Sequence, residues 1–445
     1  MMKWTMFAIN TLNVENSENV LLFNTLNKSI LGFNRNVFEA ISQCDVEKLK
    51  ELCTEMHQPE IYEQLCKQGF LVDDALNEEA EFIKIVKTQW EADDRLNVHI
   101  LPTLGCNFVC PYCYQDGICR NSNLSKEDVD EIILRLQEYL DKNQQISFLL
   151  VTLHGGEPTC NWDIVPYTME SLKTLAQQYS LKMSTTIVSN GYLLDQEKAN
   201  LLHQYHWVRF QVTLDGVGDV NNRRRRLRGG GDTFGPIIKN IKYIIENGLL
   251  NVVDIRINFD KENWKYVPEL LDYLSDHFPK EKILISFGLV TQTIEGTAAS
   301  EHIGEVEITE SDFIDKYIYL YRYALSKGFE MGEIYSFGSI CVGKMRNAFT
   351  FAPDKHIYKC LSCVGRTEES YEMWTDKNAL ENVPPLMNFD LYKQCFDKHC
   401  PFIPICNCDC RFESLIHLGD PQKIYCRKDL ILNLNTHILN AKYLE

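Results

Sequence analysis

The spacing of apolar and polar residues changes character along the chain. Short runs from Trp4 to Ile9, Val20 to Phe23 and Ile30 to Phe33 have strand-like patterns. After Asn34, a good helix cap, the period becomes helical. Val37, Phe38 and Ile41 predict one helix, Val46, Leu49 and Leu52 a second, and Ile61, Leu65 and Cys66 a third that stops at Gly69. Phe70-Leu71-Val72 reads as a closing strand. From about residue 96 to 330 strands and helices alternate. The strands are Asn97 to Leu101, Ile146 to Leu153, Thr185 to Val188, Val208 to Leu214, Val252 to Ile257 and Ile283 to Phe287, and the helices between them predict a parallel sheet with crossovers. Ser125 with Asp128 predicts a capping box on the first of these helices, and Thr309 caps the last, which ends near Gly328. The expected fold class is therefore α/β, a partial (β/α)6 barrel of the TIM type, with functional loops at the strand C-terminal ends.

Composition narrows the function classes. The chain has 445 residues, 45% hydrophobic, so it has ample material for buried cores. A net charge of −17 argues against a sequence-independent grip on nucleic acid or on an anionic membrane surface. The opening residues lack a long apolar core with a cleavage site, and no run approaches a membrane span, so a cytoplasmic location is expected. Seventeen cysteines in a reducing compartment point to thiolate or metal chemistry rather than disulfides, and nine of them follow residue 340.

The most informative stretch is Gly105-Cys106-Asn107-Phe108-Val109-Cys110-Pro111-Tyr112-Cys113, which puts three cysteines at i, i+4 and i+7 directly after the first barrel strand. Three thiolates on one short loop can cap three irons of a cubane and leave the fourth open, whereas a zinc site normally wants four ligands. Downstream, His154 runs into Gly155-Gly156-Glu157-Pro158, where glycine permits a close backbone approach.

The cysteine loop with Tyr112 before its last cysteine, followed by Gly155-Gly156-Glu157, resembles the radical S-adenosylmethionine (SAM) enzymes. That resemblance implies a four-iron, four-sulfur cluster on Cys106, Cys110 and Cys113, with SAM on the open iron. One electron then cleaves SAM to a 5′-deoxyadenosyl radical that abstracts a substrate hydrogen. It also implies SAM contacts at Tyr112, Gly155, Gly156 and Glu157, and at Thr213 and Arg225 near the fourth strand's end. In related enzymes a His-Asp pair precedes that arginine, whereas Asn221-Asn222 stands here. The run Arg223 to Arg226 reads more simply as solvated charge, with a carboxylate clamp as the alternative. Cys119 and Cys160 flank the two motifs, and neither is taken as a ligand.

The late cysteines resemble the SPASM extension of peptide-modifying radical SAM enzymes, which holds two auxiliary clusters. The order Cys341, Cys360, Cys395-x4-Cys400-x5-Cys406-x3-Cys410 and Cys426 follows its pattern, with one gap two residues longer and Lys355 in a glycine position. The resemblance assigns Cys395, Cys400, Cys406 and Cys426 to an outer cluster and Cys341, Cys360 and Cys410 to an inner one. The inner cluster's fourth ligand is Cys363 or a substrate thiolate. Zinc bound by Cys400, Cys406, Cys408 and Cys410 is the alternative reading.

The strand-then-three-helix front resembles the winged-helix-like leader-recognition module (RRE/PqqD-like) of enzymes that modify ribosomal peptides. The expected domains are thus 1–95 for peptide recognition, 96–330 for the radical SAM barrel and 331–445 for SPASM. The expected function is an oxidative peptide maturase forming a thioether or carbon–carbon cross-link in a precursor peptide, with a flavodoxin or ferredoxin as reductant. Formylglycine formation on a sulfatase is the second reading, disfavoured because Leu361 stands where those enzymes carry an aspartate. A non-catalytic iron–sulfur electron carrier is the third, and it leaves Gly155-Gly156-Glu157 unexplained.

Overall fold

The structure is a computed structural model that describes residues 1–12, 18–91, 93–118, 121–290, 295–332, 341–408 and 410–444. Two compact units divide the chain, one built chiefly from Met1–Gln89 and Asn388–Glu445, the other from Trp90–Ile334 and Cys341–Met387. This division cuts across the three consecutive segments expected from the sequence.

The reason lies in a strand of the first unit that is apolar on both faces. Strand β1 (Met2–Trp4) is separate from β2 (Ala8–Asn10), so the first strand-like run is broken in two, and β3 (Asn19–Asn24) and β4 (Ile30–Asn34) complete an antiparallel sheet in the order β2-β3-β4. Helices α1 (Arg35–Gln43), α2 (Val46–Glu55) and α3 (Glu60–Lys67) follow, and β5 (Leu71–Asp73) pairs back with β1. The Asn34 side chain caps α1 by accepting from the Asn36 amide. Val20 and Leu22 bury one face of β3 with Phe38, Ile41, Leu49 and Leu65. Leu21 and Phe23 bury the other with Phe402, Ile405, Ile431 and Leu439, against which Cys400 and Cys406 pack. A sheet covered on both faces needs a continuous apolar run rather than an alternating one, and Val20-Leu21-Leu22-Phe23 is such a run. The Thr25 hydroxyl adds a bond to the Pro401 carbonyl at 2.5 Å. Replacing Phe23 with alanine is expected to cost about 3–5 kcal/mol. Chemical denaturation of the metal-free protein reads this, and an unchanged midpoint would show that the sheet and the C-terminal cysteine segment do not share a core.

The second unit is built on parallel strands whose spatial order repeats their chain order: β6 (Arg95–Ile100), β7 (Phe148–Leu153), β8 (Lys182–Ser189), β9 (Trp207–Thr213), β10 (Val253–Phe259), β11 (Ile283–Leu289) and the short β12 (Glu330–Met331). Six strand–helix units run from β6 to β11 as expected. The Ser125–Asp128 capping box forms in both directions, and Thr309 caps Glu310–Ser326. Helices Glu78–Glu91 and Ala298–Val306 are additions that the sequence reading did not give. Beyond β6 the sheet continues through β13 (Ala348–Phe351), parallel to β6, and then β14 (His356–Tyr358) and β15 (Glu372–Met373), both antiparallel. The hairpin that carries Cys360 therefore joins the barrel sheet directly. Strand β7 alternates, with Leu149, Val151 and Leu153 buried and Leu150 and Thr152 less so. In register with Thr152 across neighbouring strands lie His99 and Thr186, which form a polar row. Among the described residues no helix is long and apolar enough to cross a membrane.

Candidate active site

The three-cysteine loop leaves β6 at its C-terminal end, and hydrogen bonds hold it on two sides. From the β7 end, Gly156 donates to the Thr103 carbonyl at 3.2 Å and Glu157 to that of Gly105 at 2.8 Å. A Cβ on Gly156 would lie 2.3 Å from the Gly105 oxygen and 2.5 Å from that of Leu104, and Gly155, at φ +138°, would meet the Thr103 oxygen at 2.4 Å. Both glycines thus allow close approach to the chain's own cysteine loop. On the other side, Val109 donates to the Arg226 carbonyl and Arg228 to that of Asn107, each at 2.8 Å, making an antiparallel bridge between Phe108 and Leu227. The segment after the arginine run therefore splints the cysteine loop through an isolated β-bridge.

Within the loop, the Cys106 sulfur accepts from the Phe108 amide at 3.3 Å and faces the Asn190 amide group at 3.9 Å. Burial, followed by the Glu157 carboxylate and, less strongly, the Cys110 and Cys113 thiols, pushes the Cys106 thiol up to about 12. Without a metal it stays protonated, so a cluster must displace that proton. Glu157 is fully buried. Its carboxylate accepts from the Thr159 amide and hydroxyl at 3.0 and 2.5 Å, the Ser189 hydroxyl at 2.8 Å and the Asn190 amide at 2.7 Å. Burial raises its pKa and these donors oppose the rise. Glu157 thereby ties the β7 end to the β8 end, while Asn190 reaches on to the Asn107 side-chain oxygen at 2.7 Å.

Tyr112 is the loop's anchor to the fourth and fifth strands. Its hydroxyl donates to the Asp215 carboxylate and accepts from Arg225 Nη1 at 3.0 Å. Burial, and then the Asp215 charge, lift the phenol well above its ordinary range, so it remains a donor. Asp215 is fully buried and also accepts from the Asn258 amide at 3.0 Å. Arg224 lies 3.7 Å from Asp215, bonds Asp260 at 2.7 Å and sits over the Tyr112 ring at 5.1 Å. The arginine run is thus split. Arg224 and Arg225 turn inward onto the Tyr112 anchor, while Arg223 and Arg226 are exposed. Thr213 ends β9 opposite Arg256. Asp260 carried no sequence motif, and Asp215 falls in Thr213-Leu214-Asp215-Gly216, a strand-end pattern shared with the resembled enzymes that by itself assigns the aspartate no role.

His99 and His154 lie at the ends of β6 and β7. Burial, with His154 as a lesser cause, lowers His99 to about 4, and burial lowers His154 to about 4. The Gly155 amide donates to His154 Nδ1 at 2.6 Å, so the proton of neutral His154 sits on Nε2. Both pKa values fall below the ordinary 6.5, so only the unfolded chain takes up these protons between about 6.5 and about 4. Stability is expected to fall as pH drops through that window. His154→Gln should flatten the dependence in a pH series of melts, and an identical slope would exclude this contribution.

The late cysteines fall into both units. Cys341, Cys360 and Cys363 belong to the barrel unit, where Cys341 is within electrostatic reach of Cys360 and the Cys360 and Cys363 thiols hydrogen-bond one another. Lys359, beside Cys360 and almost fully buried, donates to the carbonyls of Met345, Arg346 and Ala348 at 3.1, 3.1 and 2.6 Å. Cys395, Cys400, Cys406, Cys410 and Cys426 belong to the other unit, where Cys400 is close to Cys395 and Cys426. The helix Ile403–Cys406 runs into a left-handed turn at Asn407 and Cys408, and Cys408 is buried. Cys160 is exposed, and Cys119 lies outside the described residues.

The residues at the first loop fit an iron–sulfur cluster. The Cys106 thiol lies within electrostatic reach of Cys110 and Cys113 on one loop, its sulfur already accepts an N–H bond, and the buried Asn107 Nδ2 beside it lacks a partner. Among the described residues no three or more His, Cys, Asp or Glu converge tightly enough for a single ion.

The family model for the radical SAM superfamily matches residues 100–274, the stretch from the end of β6 through the loop and the next four strands, β7 to β10. This segment is a radical SAM domain. Among curated relatives, the chain is 26% identical over 176 residues to an Fe-coproporphyrin III synthase of Methanosarcina barkeri, covering 39% of each. It is 28% identical over 204 residues to an uncharacterized protein of Archaeoglobus fulgidus, covering 45% of this chain and 42% of that one. The matches thus span less than half the length of these relatives. Among solved structures, anSMEcpe with bound AdoMet and a peptide has a TM-score of 0.62 at 16% identity, covering 79% of this chain and 99% of that one. Streptococcus suis SuiB bound to S-adenosylmethionine has a TM-score of 0.55 at 16% identity, covering 92% and 96%. SuiB bound to precursor peptide SuiA reaches 0.52 over 96% of this chain. At these identities the likeness is one of fold.

Proposed function

We propose that this chain is a radical SAM peptide maturase that installs an intramolecular thioether or carbon–carbon cross-link in a ribosomally synthesised precursor peptide. The observation that carries the reading is the splinted turn presenting Cys106, Cys110 and Cys113 at the C-terminal end of the parallel sheet. Those thiolates would hold a four-iron cluster that, with SAM, supplies a 5′-deoxyadenosyl radical for hydrogen abstraction. The chain's own residues do the positioning. Glu157, Asn190 and the Tyr112–Asp215–Arg225 network fix the loop, and Gly155 and Gly156 let it lie against the β7 end. The polar row at His99, Thr152 and Thr186 offers hydrogen-bonding groups on the sheet face opposite the buried apolar one.

Cross-linking must remove a further electron from the substrate, and the late cysteines, Cys341, Cys360 and Cys363 in one unit and Cys395, Cys400, Cys406, Cys410 and Cys426 in the other, would supply ligands for auxiliary clusters that accept it. Anaerobic reconstitution is expected to give about twelve irons per chain; about four irons with bound zinc would remove the auxiliary clusters. At the front, β4 is an edge strand of a three-stranded sheet, a template for leader binding by strand addition. The two solved neighbours, each captured with a peptide, agree with such a substrate.

Sulfatase-type oxidation is less well supported, since Leu361 follows Cys360 and offers no base. Mass spectrometry of precursor peptides encoded beside the gene and co-expressed with the enzyme decides between them. The proposal expects loss of two hydrogens with a bond joining two residues. A peptide aldehyde in place of a cysteine or serine side chain, or an unmodified peptide, would overturn it.

A further inference from the structure

The face of the parallel sheet turned away from the helices carries one cation that no carboxylate neutralises. On β10, Ile255, Ile257 and Phe259 are fully buried, and Phe259 stacks on Phe313 of the helix Glu310–Ser326. Side chains alternate along a strand, so Asp254, Arg256 and Asn258 lie on the opposite, barrel-facing side. The other charges there are matched. Asp254 pairs with Arg209 and accepts from Gln211 Nε2 at 3.0 Å, Arg224 is held by Asp260 and Asp215, and Arg225 by the Tyr112 hydroxyl. Arg256 is different. Its Nε donates to the Asn258 side-chain oxygen at 3.2 Å, but among the described residues it makes no ion pair and its Nη groups meet no acceptor. Burial lowers its pKa even though Asp254 and Asp215 oppose the fall. Strand β11 makes room for it: a Cβ on Gly288 would lie 2.3 Å from Arg256 Nη2 and 2.4 Å from its Nε, so the guanidinium rests on a position that only glycine leaves open. In register with Arg256 stand Thr213 on β9 and Ser286 on β11, and among the described residues neither hydroxyl has a hydrogen-bond partner.

We propose that Arg256, flanked by Thr213 and Ser286, is a subsite for a carboxylate of the peptide substrate, an Asp or Glu side chain close to the residue that loses hydrogen. The inference rests on the maturase reading and names what that site selects. A buried guanidinium without a counter-ion is costly, and an arriving carboxylate removes the cost by accepting both Nη groups as a fork. The two hydroxyls on the adjacent strands, about 5 Å to either side, add donors for its remaining lone pairs. Depth separates this carboxylate from that of SAM. Tyr112 is anchored at the level of Asp215 and the Asn258 amide, and Arg256 lies two residues, roughly 6–7 Å, further into the barrel. SAM on the open iron would keep its own carboxylate at the loop, so Arg256 faces what enters from below it. On a chain of net charge −17, which repels acidic peptides in general, one such subsite turns a single acidic position into a mark of the correct substrate.

The test uses the reconstituted full-length enzyme with the precursor peptide encoded beside the gene, and with versions of that peptide in which each core Asp or Glu is replaced in turn by Asn or Gln. Arg256→Gln is expected to raise the KM for the peptide about tenfold or more while leaving the KM for SAM unchanged. Affinity for the fluorescently labelled peptide, read by anisotropy, should weaken in parallel. Arg256→Lys keeps the charge but not the fork and should fall between, and Gly288→Ala, which displaces the guanidinium without removing it, should also weaken the peptide. One of the amide peptides should reproduce the loss with the wild-type enzyme, and pairing it with Arg256→Gln should add nothing further. Unchanged peptide KM and affinity in Arg256→Gln and Gly288→Ala would overturn the subsite, as would a precursor core without an acidic residue, strictly additive losses, or a raised KM for SAM with peptide affinity intact. If the wild type neither binds nor modifies any precursor, the maturase reading itself falls, a different outcome from failure of the subsite alone.

Discussion

Cys106→Ala, reconstituted anaerobically with the rest of the chain intact, is expected to form no 5′-deoxyadenosine above background. Burial pushes the Cys106 thiol up to about 12, and its sulfur accepts the Phe108 amide that closes the turn. Alanine leaves two thiolates where a cubane with one open iron needs three. No neighbour replaces it cleanly. Cys160 lines an open cavity together with Cys106 but follows the Glu157 turn, and its amide is already bonded to the Glu157 carbonyl. Cys160→Ala is therefore the matched control and should retain both iron and turnover. Chromatography of SAM cleavage products reads the pair, and wild-type turnover in Cys106→Ala would refute the site.

Asp215→Ala is expected to be the most destabilising single change in the barrel unit, costing about 3–5 kcal/mol. The residue is fully buried and its carboxylate receives Tyr112 and the Asn258 amide, with the Arg224 guanidinium at 3.7 Å. Alanine strands a buried cation near Tyr112, of which Asp260 holds only one end, and it frees the phenol that holds the cysteine loop against Arg225. Asp215→Asn keeps the acceptor but loses the charge, so it should fall between alanine and wild type. Denaturation of the metal-free proteins measures the order, and in reconstituted protein the alanine variant should raise the KM for SAM more than it lowers iron content. Equal stability of all three would show that the network contributes nothing to the loop.

Much of this arrangement was legible in the sequence because it is local. The caps at Asn34, Ser125 and Thr309 are short-range bonds between a side chain and a nearby amide, and the six strand–helix units follow from apolar period and crossover length. What could not be read depends on partners far away in the chain. The run Arg223 to Arg226 looks solvated because its inward partners, Tyr112, Asp215 and Asp260, lie on three other segments. The union of Met1–Gln89 with Asn388–Glu445 was hidden for the same reason, although Val20-Leu21-Leu22-Phe23 carried a clue: four successive apolar residues in one strand demand cover on both faces. The glycines of Gly155-Gly156-Glu157 were read as permitting close approach, and the structure adds what approaches, the Thr103 to Gly105 backbone.

The account stands or falls on an iron beside Tyr112 that SAM can reach. Electron–nuclear double resonance on the reduced, reconstituted protein, with SAM carrying a labelled amine nitrogen, addresses it directly. The account predicts a hyperfine coupling from that nitrogen which disappears in Cys106→Ala, together with a shift of the cluster signal on adding SAM. A cluster signal indifferent to SAM and free of nitrogen coupling would contradict it.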